Sequence, residues 1–503
     1  MSEPTSTDSS TACSLLWPEQ RWNLILFALC TGTQYLAAPV LYVGITQASL
    51  CDRLGADART ANLPGTLFFA MTAMPAIIAW LSPRVSSLKR NLSILYGTSA
   101  LMLGTLAVTL SLPVSNEFKL MMVVVQGGVS GAVMPAAIAL LWEVMGRGTD
   151  ESRRGLALSL AFGAGPLLAV AGSLGQMALL GGDLFGFHFQ GLEYPWKFII
   201  LFAAGVPVMG LAAVLSQFFV IAPVEQELER EPFTSVIGLF AGVLLMLVAI
   251  SLTRLGAVPD ADSSTAPPSF FSAGSMLPMG GYVCGLGAAA AFIYHFRSIL
   301  SQRVLLIATL VTVLVYAGNV IPSNMNLYST EALGSLPENY AGKQNMLRFS
   351  FKVVAGFVLG WALTRTNPKV GILATASIFL LAQVWAMLVT GPWYLIAFGI
   401  HGAGELIGVY APNYIVSASR LDQLRRNMAF VTMLMVPAAP AGYLYGAIVD
   451  QVKRSGWTAF GLSSTALGFR LSFLVCGTFI LCGILLAIFL LPARPRPVSD
   501  RTT

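Results

Sequence analysis

Long apolar runs recur along this chain from residue 22 to residue 492, and they constrain its fold more than any other feature. A helix of about 20 apolar residues crosses the roughly 30 Å hydrocarbon core of a bilayer. In lipid, a helix satisfies each backbone N–H and C=O within its own segment, which an open strand cannot do. Charged residues make up 10% of the 503 positions, against about 25% in a soluble chain. A water-soluble fold is excluded, and the chain reads as an all-α membrane protein.

The runs fall into two blocks of six. The first block lies at 22–46, 62–82, 92–112, 119–145, 155–181 and 196–222. The second lies at 303–328, 344–364, 369–390, 392–416, 427–449 and 468–492. Between the blocks, runs at 233–253 and 277–296 flank a Pro-, Ser- and Ala-rich stretch at 255–276 with the composition of an exposed connection. The expected organisation is a polar tail (1–21), a six-helix bundle (22–222), a linker with an extra transmembrane pair (223–302), a second six-helix bundle (303–492) and a polar tail (493–503). That makes fourteen spans.

The net charge of +6 comes from Lys and Arg scattered between the runs rather than gathered into a patch, a topology signal and not a nucleic-acid surface. With both termini on one side, 18 of the 29 Lys and Arg residues collect there. That bias predicts a multi-pass protein of the cell membrane with cytoplasmic termini. The six cysteines, Cys13, Cys30, Cys51, Cys284, Cys476 and Cys482, have neither metal-like spacing nor a disulfide framework. No cofactor is expected, and the lipid bilayer, a small-molecule substrate and a monomeric state complete the expected surroundings. The first run, beginning at Trp22, is too long for a signal-peptide core and reads as the first membrane helix.

The two blocks share internal marks. Gly127, Gly131 and Pro135 in the fourth helix are spaced like Gly404, Gly408 and Pro412 in the tenth helix of the doubled core, at an offset of 277. Arg153, Arg154 and Ala157 are echoed by Arg425, Arg426 and Ala429 at 272, and the basic turn at Arg84 by Arg365 at 281. Nearly constant offsets in the same order point to duplication.

With these marks the chain resembles the major facilitator superfamily across residues 22 to 492. The family's basic turn after helices 2 and 8, Gly-x-x-x-Asp-Arg-x-Gly-Arg-Lys, survives in part. Gly360, Arg365 and Lys369 match it, with Thr364 in the Asp position; the first half keeps Arg84, Lys89 and Arg90, with Pro83 there. Gly165-Pro166 is similar to the start of the family's antiporter motif, but Ala169 and Val170 replace its final glycines. The central pair is similar to the insertion of fourteen-helix members, and Trp80-Leu81-Ser82-Pro83 is faintly similar to the muropeptide permease branch. The resemblance implies two six-helix bundles related by an axis along the membrane normal. It also implies a secondary active transporter, not an enzyme, that moves a small polar solute, with an anionic one as an option, by alternating access with ion or proton coupling.

Of the 23 Asp and Glu residues, Glu405 alone falls deep inside a predicted span. An ionised carboxylate there costs about 2.5–3.5 kcal/mol unless paired, solvated or protonated. His401 lies one turn earlier on the same face, placed to share or relay a proton; the pair also fits a purely structural lock. Lys352 falls near the middle of 344–364, with Arg348 one turn outward and Gly356 and Gly360 continuing the stripe. This face is either the wall that receives an anionic substrate, or Lys352 neutralises Glu405 while Arg348 snorkels to the interface. In the resembled fold, core helices 1, 4, 7 and 10 line the cavity. That adds Gln34, Tyr35, Gln126, Asn319 and Asn413 as substrate-binding candidates, each also suited to an interhelical hydrogen bond. Pro322, Pro412, Pro437 and Pro440 mark candidate gating bends.

Two other function classes fit these residues less well. A fourteen-helix lipid-linked precursor flippase shares the helix count and a basic cavity, but would not be expected to repeat its fourth helix in the tenth. A membrane enzyme would need a nucleophile cluster or metal constellation, and the chain has no HExxH, GxSxG or P-loop.

Overall fold

Where the chain enters lipid it has no water to bond to, and the apolar runs accordingly form helices. The computed structural model describes residues 15–42, 44–149, 165–184, 186–188, 192–221, 232–255, 273–418, 430–431 and 433–495. Among these, eight helices are long and apolar enough to cross a membrane, with shorter apolar helices at Gly165–Gly181, Ile237–Leu252 and Val283–His295. A hairpin pairing Asp183–Leu184 with Phe187–His188 is the paired-strand element among the described residues. The Arg153–Arg154 and Arg425–Arg426 turns of the sequence repeat lie outside them.

The first predicted span is broken. Trp17–Leu36 is followed by the short helix Ala38–Leu41 and then by Ile45–Arg53. Pro39 lacks the N–H needed to continue the ladder. Gly44, at φ +147°, takes a backbone conformation that a side chain would oppose. The second span, Ala58–Ala70, passes through a 3₁₀ turn at Met71–Ala73 into Met74–Leu81. It lies against Asn116–Gly148, where a Cβ on Gly127 or Gly131 would run into the backbone of Pro64 or Phe68.

In the second half, the Glu338–Thr364 helix packs on Ile396–Gly404. There the glycine that admits close approach is Gly402, which faces the backbone of Arg348; Gly404 faces the Phe379 ring. The contact thus sits two positions before the glycine that the sequence spacing pairs with Gly127.

The inserted helices, Ile237–Leu255 and Ala273–His295, pack on each other. Gly238 meets His295 and Gly242 meets the Phe292 ring, so the two backbones lie close. Trp80, Phe233 and Phe240, with ring centroids 5.4–5.6 Å apart, join this pair to the Met74–Leu81 helix.

The halves meet at one end of the molecule. Ala58–Ala70 packs on Pro440–Ser455, Gly165–Gln176 on Glu338–Thr364, and Ile45–Arg53 on Pro322–Leu327. Carboxamides bridge the seam: Ser49 Oγ donates to Asn326 Oδ1 at 2.9 Å, Asn62 Nδ2 to Asn324 Oδ1 at 2.6 Å, and Asn345 Nδ2 to Gln176 Oε1 at 2.8 Å. Two carboxylates of the second half close it. Asp450 accepts from the backbone N–H groups of Ala58 and Arg59 at 3.0 and 2.9 Å, capping a helix start. Glu338, 3% exposed, accepts from Lys197 at 2.5 Å and lies 3.9 Å from Arg53.

Candidate functional site

A cavity of about 680 Å³ lies between the halves on the other side of this seam, within the roughly 300–1,000 Å³ range of small-molecule sites. Its lining runs from Tyr42 and Phe349 past Glu405 and Lys352 to Ala79, Trp142 and Glu143. The last three lie toward the Leu81 and Gly148 helix ends, opposite the sealed end. Glu143, about one-third exposed, is held at that mouth by Arg147 at 2.9 Å.

Glu405 sits where its helix breaks. Ile396–Gly404 ends just before it and Ile407–Ala418 starts two residues later. Leu406, Gly408 and Val409 donate three residues back, to Ala403, Glu405 and Leu406, so the turn is tightened. Pro412 has no N–H to return to the Gly408 carbonyl, and Gly408 lines the cavity. A break of this kind is tolerated at membrane depth where it faces a cavity.

Three side chains converge on the Glu405 carboxylate. Arg348 reaches Oε1 at 2.5 Å through Nε and Nη2, Lys352 Nζ reaches Oε2 at 3.1 Å, and His401 Nε2 lies 3.5 Å from Oε1. Arg348 and Lys352 stand four apart on one helix, so both reach the same partner. Arg348 is 9% exposed and points to Glu405 rather than snorkelling. His401 is fully buried behind the carboxylate, its ring 4.9 Å from that of Phe379, and neither ring nitrogen makes a hydrogen bond. With two cations to one carboxylate, the cluster keeps an excess positive charge when His401 is neutral.

The other candidates divide. Tyr35 and Asn319 line the cavity, and Asn319 Oδ1 is buried without a partner. Gln34 is buried away from it, donating to the Tyr96 hydroxyl at 2.5 Å. Gln126 donates to the Val40 carbonyl at 3.1 Å and Ser130 Oγ at 2.9 Å, and accepts from Gln47 at 3.2 Å. Both occupy the interhelical role that membrane amides also fill. Asn413 is exposed on its helix and is not a lining residue.

Sequence reasoning did not single out Tyr42, Phe69, Thr72 or Trp142, which also line the cavity. An apolar side chain in a membrane helix reads the same whether it faces lipid, core or cavity.

No family model matches the chain, and no curated protein matches it in sequence. Solved structures do match in shape. An auto-inhibited POT family peptide transporter is 14% identical with a TM-score of 0.60, covering 96% of this chain and 99% of that one. The POT family transporter PepTSo is 16% identical with a TM-score of 0.58, covering 94% and 98%. The nucleoside transporter NupG is 12% identical with a TM-score of 0.53, covering 93% and 98%. The chain therefore shares the fold of these transporters.

Proposed function

We propose that the protein is a secondary active transporter for a small anionic solute, worked by alternating access and coupled to protons through Glu405. The observation that carries this reading is the Arg348–Glu405–Lys352 cluster on the wall of a cavity closed at one end and open at the other. A transporter must expose one site to each side in turn. Buried ionisable groups at a helix break are suited to couple that movement to charge. The fold shared with peptide and nucleoside transporters supports the class. The excess of Lys and Arg on the side of the termini supports a cytoplasmic open end in this conformation.

In the proposed cycle, Arg348 and Lys352 hold Glu405 while the site is empty. An incoming anion takes over the cations, the released carboxylate accepts a proton, and His401 is the neighbouring station for it. The local charge is then the same with the site empty as with anion and proton bound. Glu405→Gln should bind substrate and lose pH-driven accumulation, whereas Lys352→Ala should lose anion affinity. Transport by proteoliposomes under an imposed pH gradient tests this. Undiminished uphill transport by Glu405→Gln removes the coupling role, and unchanged anion affinity in Lys352→Ala removes the substrate role.

A further inference from the structure

The two walls of the cavity differ in kind. The second half contributes all of its charge as Arg348, Lys352 and Glu405, beside Asn319, Phe349 and Met435. The first half faces them with Phe69, Ile138 and Trp142 and the small Ala76, Ala79 and Ala139. Its polar lining groups are Thr72, the phenols of Tyr35 and Tyr42, and Glu143 at the mouth, which is already paired with Arg147.

A solute that is polar all round would use the charged wall and leave the other wetted for no gain, since burying apolar surface is what such a wall rewards. We infer that the substrate is an amphiphilic monoanion: an acidic head between Arg348 and Lys352, and an apolar body laid across Phe69, Ile138 and Trp142. A monoanion that takes the place of the Glu405 charge, as that carboxylate takes up its proton, leaves the net charge of the cluster unchanged. The inference rests on the transporter reading above and narrows its substrate class. A wall that served closure alone would pack against the other half when the mouth closes and show no preference for chain length.

The test uses purified protein in nanodiscs and the series ethanoate, butanoate and hexanoate, with hexanamide and hexylamine as head-group controls. Binding is read from calorimetry and from the ligand-induced rise in unfolding temperature. Each added methylene should tighten binding about two- to fourfold, and hexanoate should bind at least about tenfold more tightly than hexanamide or hexylamine, one step of 1.4 kcal/mol. Ile138→Ser should flatten the chain-length dependence while leaving ethanoate unchanged. Trp142→Ser, which also loses an edge contact to Phe27 at 4.8 Å, is a second variant should Ile138→Ser fail to fold. If ethanoate and hexanoate bind equally, the apolar wall serves closure alone and the inference is overturned while the anion site stands. If no carboxylate binds, or the amide binds as well as the acid, the anion site falls and the inference falls with it.

Discussion

Arg348 contacts one oxygen of Glu405 through two nitrogens, and Lys352 takes the other oxygen. Removing one partner from a buried pair leaves the remaining charge uncompensated, at about 3–5 kcal/mol. Because Lys352 stays behind, Arg348→Gln should lose roughly 3 kcal/mol of stability, near the lower end of that range. The double variant Arg348→Gln, Glu405→Gln should lose less than the sum of the two single losses, because the two share one interaction. Unfolding in detergent checks this, and strictly additive losses would show that the two side chains are not coupled. These residues were legible in the sequence because a charge in the middle of an apolar run is rare and expensive. Gln34 and Gln126 were legible as polar residues in helices, but an amide pays for burial equally well with a neighbouring helix, as their bonds to Tyr96 and Val40 show. Trp142 carried no signal because its partners are set by which way its helix is turned.

At the scale of helices, the crossing of Glu338–Thr364 with Ile396–Gly404 places Arg348 and Lys352 against Glu405. That crossing depends on Gly402, where a Cβ would collide with the Arg348 backbone. Backbone cannot move aside as a flexible side chain can, so Gly402→Ala should push the helices apart and cost about 1–3 kcal/mol as overpacking. It should also lower anion affinity by displacing the Arg348 carrier. Gly408→Ala adds a Cβ with nothing within 4 Å, and its stability should fall within about 0.5 kcal/mol of the parent. Parallel thermal unfolding and anion-binding measurements compare the two; equal stability of both variants would remove the packing role of Gly402. The spacing of glycines in the sequence identified a close-packed helix. It did not locate the contact, because small residues repeat on that helix and the sequence does not say which face meets its neighbour.

For the whole molecule, the legible part was the helical, membrane-spanning class, since long apolar runs survive in sequence; the illegible part was the conformation, which depends on how the two halves lean together. What holds the present lean is a set of polar contacts at one end. Glu338 and Asp450 lie near helix ends, where charges are ordinary, so nothing in the sequence distinguished them. In the structure, Glu338 is buried against Lys197 and Arg53 of the other half, and Asp450 caps the start of Ala58–Ala70. Each favours the sealed arrangement, because parting the halves would break these contacts. Glu338→Gln should therefore shift the population toward the arrangement open at this end, and Asp450→Asn should do so less strongly, since its amide oxygen can still accept one N–H. Loss of the buried Lys197 pairing is worth about 3–5 kcal/mol to the sealed state, enough to make a minor open state abundant. Ser49 reports on it: its hydroxyl, 1% exposed, bonds across the seam to Asn326. In a cysteine-free background carrying Ser49→Cys, an impermeant maleimide should label the protein slowly, and at least about tenfold faster once Glu338→Gln is added, a step of 1.4 kcal/mol in the opening equilibrium. Equal labelling rates with and without Glu338→Gln would mean that the carboxamide layer alone holds the seam, and that the ion pairs at its rim contribute nothing to which side is open.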